Sequence, residues 1–280
     1  MHVGYGKRGL ESILLLVVNM KAIKILFYNF KISLLNELAH KANFLMRFLS
    51  DSIFFFVYFV FYTVIYSYVS NINGWGKYDM LFLMGTFHII ISIFTAFFIP
   101  NLAQIPGMVK GGGLDTYLVK PIDSRFILST HSIDIGSLVN ILLGVAIIFV
   151  SLKQLDIKIT VASFLLYAIY IFVGVSIMYS TLFVLVCTIF WLNDSMWSIG
   201  FFMTFNSFAD KPVSIYKGII YRFLVYIFPM GLVANIPASV MLNKENRYLE
   251  MWFIIAAILL LNLSKYIWNK GLKHYEGASI

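Results

Sequence analysis

Long runs of apolar residues constrain this chain more than any other feature. A membrane-crossing helix needs about 20 predominantly apolar residues. Five stretches qualify: Ser52 to Ser70, Met80 to Pro100, Phe126 to Val150, Val161 to Leu192 and Leu249 to Leu263. A sixth, Ser195 to Phe208, is short by that measure. Only 12% of the 280 residues are charged and 60% are hydrophobic, against about 25% charged in soluble domains. So little charge cannot cover a globular surface in water, which excludes an ordinary cytosolic enzyme.

Residues 209–248 are neither loop nor plain span. ADKPVSIYKG is polar, the apolar stretch after it is broken by Pro229, Gly231 and Pro237, and NKENRYLE is polar again. Apolar backbone broken in this way survives at membrane depth only inside protein or along a cavity. The segment therefore reads as a re-entrant or interfacial helical hairpin. The other reading, one more complete span, would put the C-terminus on the opposite side.

Charge sets the orientation. Before the first span, Lys7, Arg8, Lys21, Lys24, Lys31, Lys41 and Arg47 face only Glu11 and Glu37, so the positive-inside rule places the N-terminus in the cytoplasm. With six spans, Lys270 and Lys273 also fall inside, as does the loop from Gln104 to Arg125. NINGWGKYD and SLKQLDIK fall outside, together with Lys211, Lys217, Arg222, Lys244 and Arg247, an outer excess the rule does not explain. From Met20 to Arg47, basic residues among Ile25, Phe27, Phe30, Leu34, Leu35 and Leu38 suit an amphipathic helix on the inner leaflet, running straight into the first span. Residues 1–19 fit no element, which suggests a dispensable extension or a start assigned too early at Met1 rather than Met20. The expected architecture is an all-α membrane protein: six transmembrane helices, an N-terminal amphipathic interfacial helix, and a re-entrant helical hairpin between spans five and six.

Motifs for bond chemistry are missing. The Gly-Lys pairs, Gly6-Lys7 and Gly76-Lys77, are followed by Arg8 and Tyr78 and make no phosphate-binding loop. His-Glu-x-x-His, Cys-x-x-Cys and Gly-x-Ser-x-Gly are absent, and the lone Cys187 builds neither a disulfide nor a zinc site. No metal site is expected. The net charge of +8 reads as positive-inside patterning rather than as a nucleic-acid surface.

Ionisable residues in spans are functional candidates, because charge in a bilayer is costly. His88 sits mid-span and Asp134 about two turns into the third span; Asp51, Asp79, Arg125 and Asp194 fall at span ends. For His88 the plainer role is a neutral imidazole bonded to a neighbouring helix. Asp134 is evenly poised between a structural partner and a function. With so few buried carboxylates an ion-coupled carrier has nothing to hold its driving ion, so a transporter of this kind takes its energy from another subunit. Aromatic side chains crowd the first, fourth and fifth spans. Tyr62, Tyr66, Phe201 and Phe205 are the candidates to line a cavity for an amphipathic or cationic molecule.

Between the second and third spans runs IPGMVKGGGLDTYLVKPIDSRF. Three glycines end one helix, LDTYLVK forms a turn or two of another, and Pro121 stops it. The product is a short knob offering Leu114, Tyr117 and Leu118 to a partner, rimmed by Lys110, Asp115 and Lys120.

The run KGGGLDTYLVKPIDSRF resembles the cytoplasmic signature of type-2 permeases of ATP-binding cassette (ABC) exporters, in the bacterial six-span branch. The segment FADKPVSIYKGIIYRFLVYIFPMGLVANIPASVML and the tail WNKGLKHYEGAS are similar to two further segments of that branch, in the same order, and the resemblance covers about residues 20–280. It implies one permease domain, with a coupling loop over about 104–125 that docks on a nucleotide-binding subunit through Gly113, Leu114, Asp115, Tyr117, Leu118, Lys120 and Pro121. It also implies an outer re-entrant hairpin over about 212–242. ATP and Mg would be bound by the ATPase partner and not by this chain, which would pair with a second copy or a non-identical permease in the cell membrane. The sequence departs from the branch at Gly112-Gly113, where many members carry Gly-Glu. The rival reading is a membrane enzyme acting on a lipid-linked substrate through Asp134, His131 and Asp194, and a third is an anchoring protein. Neither the enzyme's nucleophile nor the exporter's cargo is identified by these residues.

Overall fold

The computed structural model describes residues 23–157, 159–192, 197–244 and 246–275. Residues 1–19 and Asp194 therefore lie outside the described residues. The described chain is helical almost throughout. Helix α1 covers residues 23–39, and a turn at His40 separates it from α2 (Lys41–Tyr68). A two-residue hairpin, β1 (Asn71–Ile72) against β2 (Trp75–Gly76), leads to α3 (Lys77–Phe97). Four short helices follow: α4 (Ile99–Leu102), α5 (Ile105–Lys110), α6 (Asp115–Leu118) and α7 (Ser124–Thr130). Then come α8 (Ile135–Leu155), α9 (Val161–Val186) with a 3-10 turn to Phe190, and the short α10 (Trp197–Asn206). Helices α11 (Gly218–Arg222) and α12 (Asn235–Met241) precede the long α13 (Arg247–Gly271).

Five of these are long and apolar enough to cross a bilayer: α2, α3, α8, α9 with its 3-10 turn, and α13. The number rises to six if Gly218–Ile227 and Pro229–Met241, bent by 79° at Phe228, are taken as one span. The chain is a multi-pass, all-α membrane protein.

Helices α3 and α8 form the tightest pair. A Cβ on Gly85 would sit 2.9 Å from the Gly144 carbonyl, and one on Gly144 would sit 2.9 Å from the Gly85 carbonyl. Lipid tails give no hydrophobic push between helices, so association in a bilayer depends on such close backbone approach. Around this pair a core of Phe82, Ile90, Phe94, Met178 and Phe183 is fully or nearly fully buried.

Three expectations need correction. The third span does not run unbroken from Phe126: α7 ends at Thr130, and α8 starts only at Ile135. The amphipathic segment does not flow straight into the first span, because His40 breaks it and residues 41–47 belong to α2. Asp134 is not two turns inside a span. It is the N-cap of α8, its Oδ1 accepting from the Gly136 amide at 3.0 Å and its Oδ2 from Ser137 Oγ at 3.1 Å. Aspartate is among the best residues for that position, because it satisfies amides the first turn leaves open.

Both ends of the bundle are pinned. At the hairpin end, Asn73 and Gly74 turn with positive φ (49° and 88°), as tight hairpins require. Lys244 Nζ reaches Gly74 O (2.7 Å) and Asp79 Oδ2 (2.5 Å), lying 4.9 Å from the centre of the Trp75 ring. Asn73 Nδ2 donates to Ser214 O at 3.1 Å. Ser214 and Lys244, which flank the bent segment, thus both touch the same hairpin. At the opposite end α1 lies on the turn before α8: Asn29 Nδ2 donates to Thr130 O, and the Ile133 amide donates to Ser33 Oγ, each at 3.0 Å.

Candidate functional site

The segment after α3 is built to project a fixed knob. Pro100 and Pro106 sit in the first turns of α4 and α5, where a missing N–H costs nothing. The glycine triplet then ends α5, and Gly112 takes φ 71°, a conformation that suits glycine. Helix α6 carries the chain to Pro121, and Asp123 caps α7 through the Arg125 and Phe126 amides (2.8 and 3.2 Å).

Leu114, expected on the docking face, is fully buried. It anchors the knob from within, its amide donating to Met108 O at 3.3 Å. Tyr117 and Leu118 are half-buried, and Gly113, Lys120 and Pro121 are exposed. The apolar residue that faces outward is Val119, 81% exposed. Sequence reading passed it over; the signal was an aliphatic residue between Leu118 and Lys120 with no partner assigned. Lys120 Nζ lies 4.8 Å from the centre of the Tyr117 ring, which in turn lies 6.0 Å from the His131 ring. Burial, then the positive charge of Lys120, push the His131 imidazole below its ordinary pKa, against a raising backbone hydrogen bond at Leu128.

Behind the knob stands an aromatic brace. Phe190 lies 5.5 Å from Trp268 and 6.4 Å from Tyr275 between ring centres, and Trp268 Nε1 donates to Ser124 Oγ at 3.3 Å. A Cβ on Gly271 would overlap Phe190, so the end of α13 closes directly on this ring. Buried Asn101 ties α4 to the α7–α8 turn. Its Nδ2 donates to Phe97 O, Ser129 O and Ser132 O (2.7, 3.0 and 2.8 Å), and its Oδ1 accepts from the Ser132 amide and hydroxyl (3.0 and 2.9 Å).

A family model described as "ABC-2 family transporter protein" matches residues 52–279, well over half of the chain. The chain belongs to the ABC-2 transporter family. It is a membrane permease of the ABC transporter type, a component distinct from the ATPase, and the family implies association with an ABC ATPase subunit. No curated protein and no solved structure matches the chain.

Among the described residues, the candidate cavity aromatics of this ABC-2 permease fall into two pairs. Tyr62 and Tyr66 are buried, and Tyr66 donates to Trp75 O at 3.0 Å, bracing the hairpin. The Phe201 and Phe205 rings lie tilted with centres 4.6 Å apart, and both lie against Phe228 (6.0 and 5.1 Å). A cavity of about 350 Å³ lies between α2, α3, α8 and the end of α10. Phe54, Phe55, Phe87, Asp51, His88, Asn140, Asn206 and Asp210 are among its lining residues. His88 stacks on Phe55 with ring centres 4.0 Å apart, and its Nε2 has no partner among the described residues.

Of the acid–base set of the enzyme reading, Asp194 lies outside the described residues, and the other two members hold structural positions. Asp134 serves as a helix cap and pairs with Arg47 at 3.7 Å, and Arg47 is also paired with Glu37. His131 packs against the knob. Among the described residues no group of His, Cys, Asp and Glu can hold a metal ion.

Proposed function

We propose that this chain is the membrane subunit of a bacterial ABC exporter, coupled through the 104–125 loop to a separate ATPase that binds ATP and Mg. The observation that carries this reading is the rigid knob, with Val119 and Lys120 turned outward over a buried Leu114 and a brace from α13 behind it. A connecting loop that only had to turn would need no such scaffold. ATP-driven closure of two ATPase subunits moves the knobs of two permeases as levers, switching the cavity side from inward- to outward-facing by rigid-body motion of helix bundles. The second permease is a copy of this chain or a related one, in the cell membrane.

This arrangement has six crossings in our reading. Trp191 lies 5.5 Å from His274 at the C-terminal end of α13, whereas Ser214 lies at the hairpin end, so the two residues sit at opposite ends of the bundle. Helix α10, between them in the chain, is about 15 Å long at about 1.5 Å per residue. Both ends of the bent 212–242 segment lie at the hairpin, which supports re-entry over a full span. The knob and both termini then share the cytoplasmic side.

The test is co-purification of the ATPase through a tag on this chain. Val119→Asp with Lys120→Glu is expected to abolish capture while the permease stays folded, judged by its size-exclusion profile. Capture unaffected by that pair of changes would remove the knob from the coupling role. No capture by the folded wild-type chain would remove the energy source.

A further inference from the structure

The cavity between α2, α3, α8 and α10 presents an imbalance of polar groups. Asp51 stands exposed at its mouth and accepts from Asn140 Nδ2 at 2.7 Å; the described ion pairs include none with Asp51. Arg47, one turn earlier, is held by Glu37 and Asp134. Because the Asn140 nitrogen must face the carboxylate, its Oδ1 points away, and that oxygen has no partner among the described residues although Asn140 is only 3% exposed. Asn206 is 6% exposed, and its Oδ1 is also without a partner among the described residues. Among the described residues, no lysine or arginine lines the cavity. Lys211, beyond its far end, is held by Asp210 at 2.6 Å and Ser207 O at 2.7 Å.

We propose that this cavity binds an organic cation bearing N–H donors on an aromatic or apolar body. A buried acceptor left without a donor costs about 1–3 kcal/mol, and a ligand N–H removes that cost at Asn140 and Asn206. Asp51 supplies the charge partner, and Phe54, Phe55 and Phe87 supply ring faces for cation–π contact. The volume of about 350 Å³ lies at the small end of the usual range of about 300–1,000 Å³ for organic ligands. An anionic ligand finds no cation in the cavity and meets Asp51. That the bound cation is cargo rests on the exporter reading; that it binds does not.

The full chain in neutral phosphatidylcholine nanodiscs, titrated with ethidium and followed by fluorescence anisotropy, tests this. Saturable binding is expected, weakened about tenfold or more by Asp51→Asn, largely restored by Asp51→Glu, and weakened by Asn206→Leu. Anionic fluorescein is expected not to bind, and uncharged nile red to respond equally to wild type and Asp51→Asn. Absence of saturable ethidium binding, an unchanged affinity in Asp51→Asn, or equal binding of fluorescein would each overturn the assignment. ATPase capture by the same preparations separates the two claims: lost capture with Asp51-dependent ethidium binding retained sinks only the exporter reading. Intact capture with no such binding sinks only the cation site.

Discussion

Asn101 and Ser132 are joined by three hydrogen bonds: the Asn101 side chain accepts from the Ser132 amide and hydroxyl and donates to the Ser132 carbonyl. With two further carbonyls bound, one buried amide fastens both ends of the segment that carries the knob. Asn101→Leu strips those partners of their bonds in a buried site, at about 1–3 kcal/mol for each group left unpaired. The expected outcome is a large fall in detergent melting temperature with loss of ATPase capture. Asn101→Asp keeps the acceptor but removes the donor and adds charge, so it should rescue neither. A wild-type melting temperature in Asn101→Leu would show that the loop is held by its apolar packing instead.

The α3–α8 seam depends on two glycines facing each other. Cβ atoms at Gly85 or Gly144 would meet the opposite backbone carbonyl at 2.9 Å, which neither helix can yield without moving apart. Gly85→Ala and Gly144→Ala should each lower thermal stability in detergent, and the double change should be less than additive, since one separation of the helices relieves both clashes. Full additivity would mean that the two sites act independently. A control at Gly107, where an added Cβ meets nothing within 4 Å, should be near neutral.

Much of the architecture is legible in the chain because bilayer physics is written in runs of twenty residues. The apolar stretches fall on the long helices, and the glycine triplet and Pro121 bound α6 as their backbone preferences dictate. Tertiary geometry is less legible. Nothing local marks Leu114 as buried and Val119 as exposed, because both are aliphatic and lie five residues apart around a short irregular turn. The apolar composition of 126–150 hides the break at 131–134, which Asn101 and the Asp134 cap create through partners distant in sequence. The cavity was half legible: Asp51 and His88 stand out as ionisable groups in spans. Asn140 and Asn206 do not stand out, since an uncharged amide becomes conspicuous only when the structure leaves its oxygen without a donor.

The His131 imidazole gives the knob a pH response whose sign follows from its surroundings. Burial and Lys120 hold its folded pKa below the ordinary value of about 6.5. In the window between the two values the unfolded chain binds more protons, so stability rises with pH there and falls as pH drops through it. Wild type should therefore lose melting temperature on going from about pH 7.5 to 5.5, and His131→Gln should lose less over the same window. An identical slope for the two chains would show that His131 does not titrate differently in the fold.

Asp134 separates a structural role from a chemical one. Asparagine caps helices about as well as aspartate, whereas alanine does not, the difference costing about 0.5–2 kcal/mol. The Arg47 partner is half exposed, at 51% of its side chain, and ion pairs of that kind contribute about 0–1 kcal/mol. Asp134→Asn should then keep most of the stability, and Asp134→Ala should lose about the value of the cap. Neither change should abolish ATP-driven transport beyond its effect on folded protein, because among the described residues the carboxylate bonds only to α8 and Arg47. If Asp134→Asn stays folded but is inactive, the carboxylate has a chemical role, and the lipid-enzyme reading regains the acid it lacked.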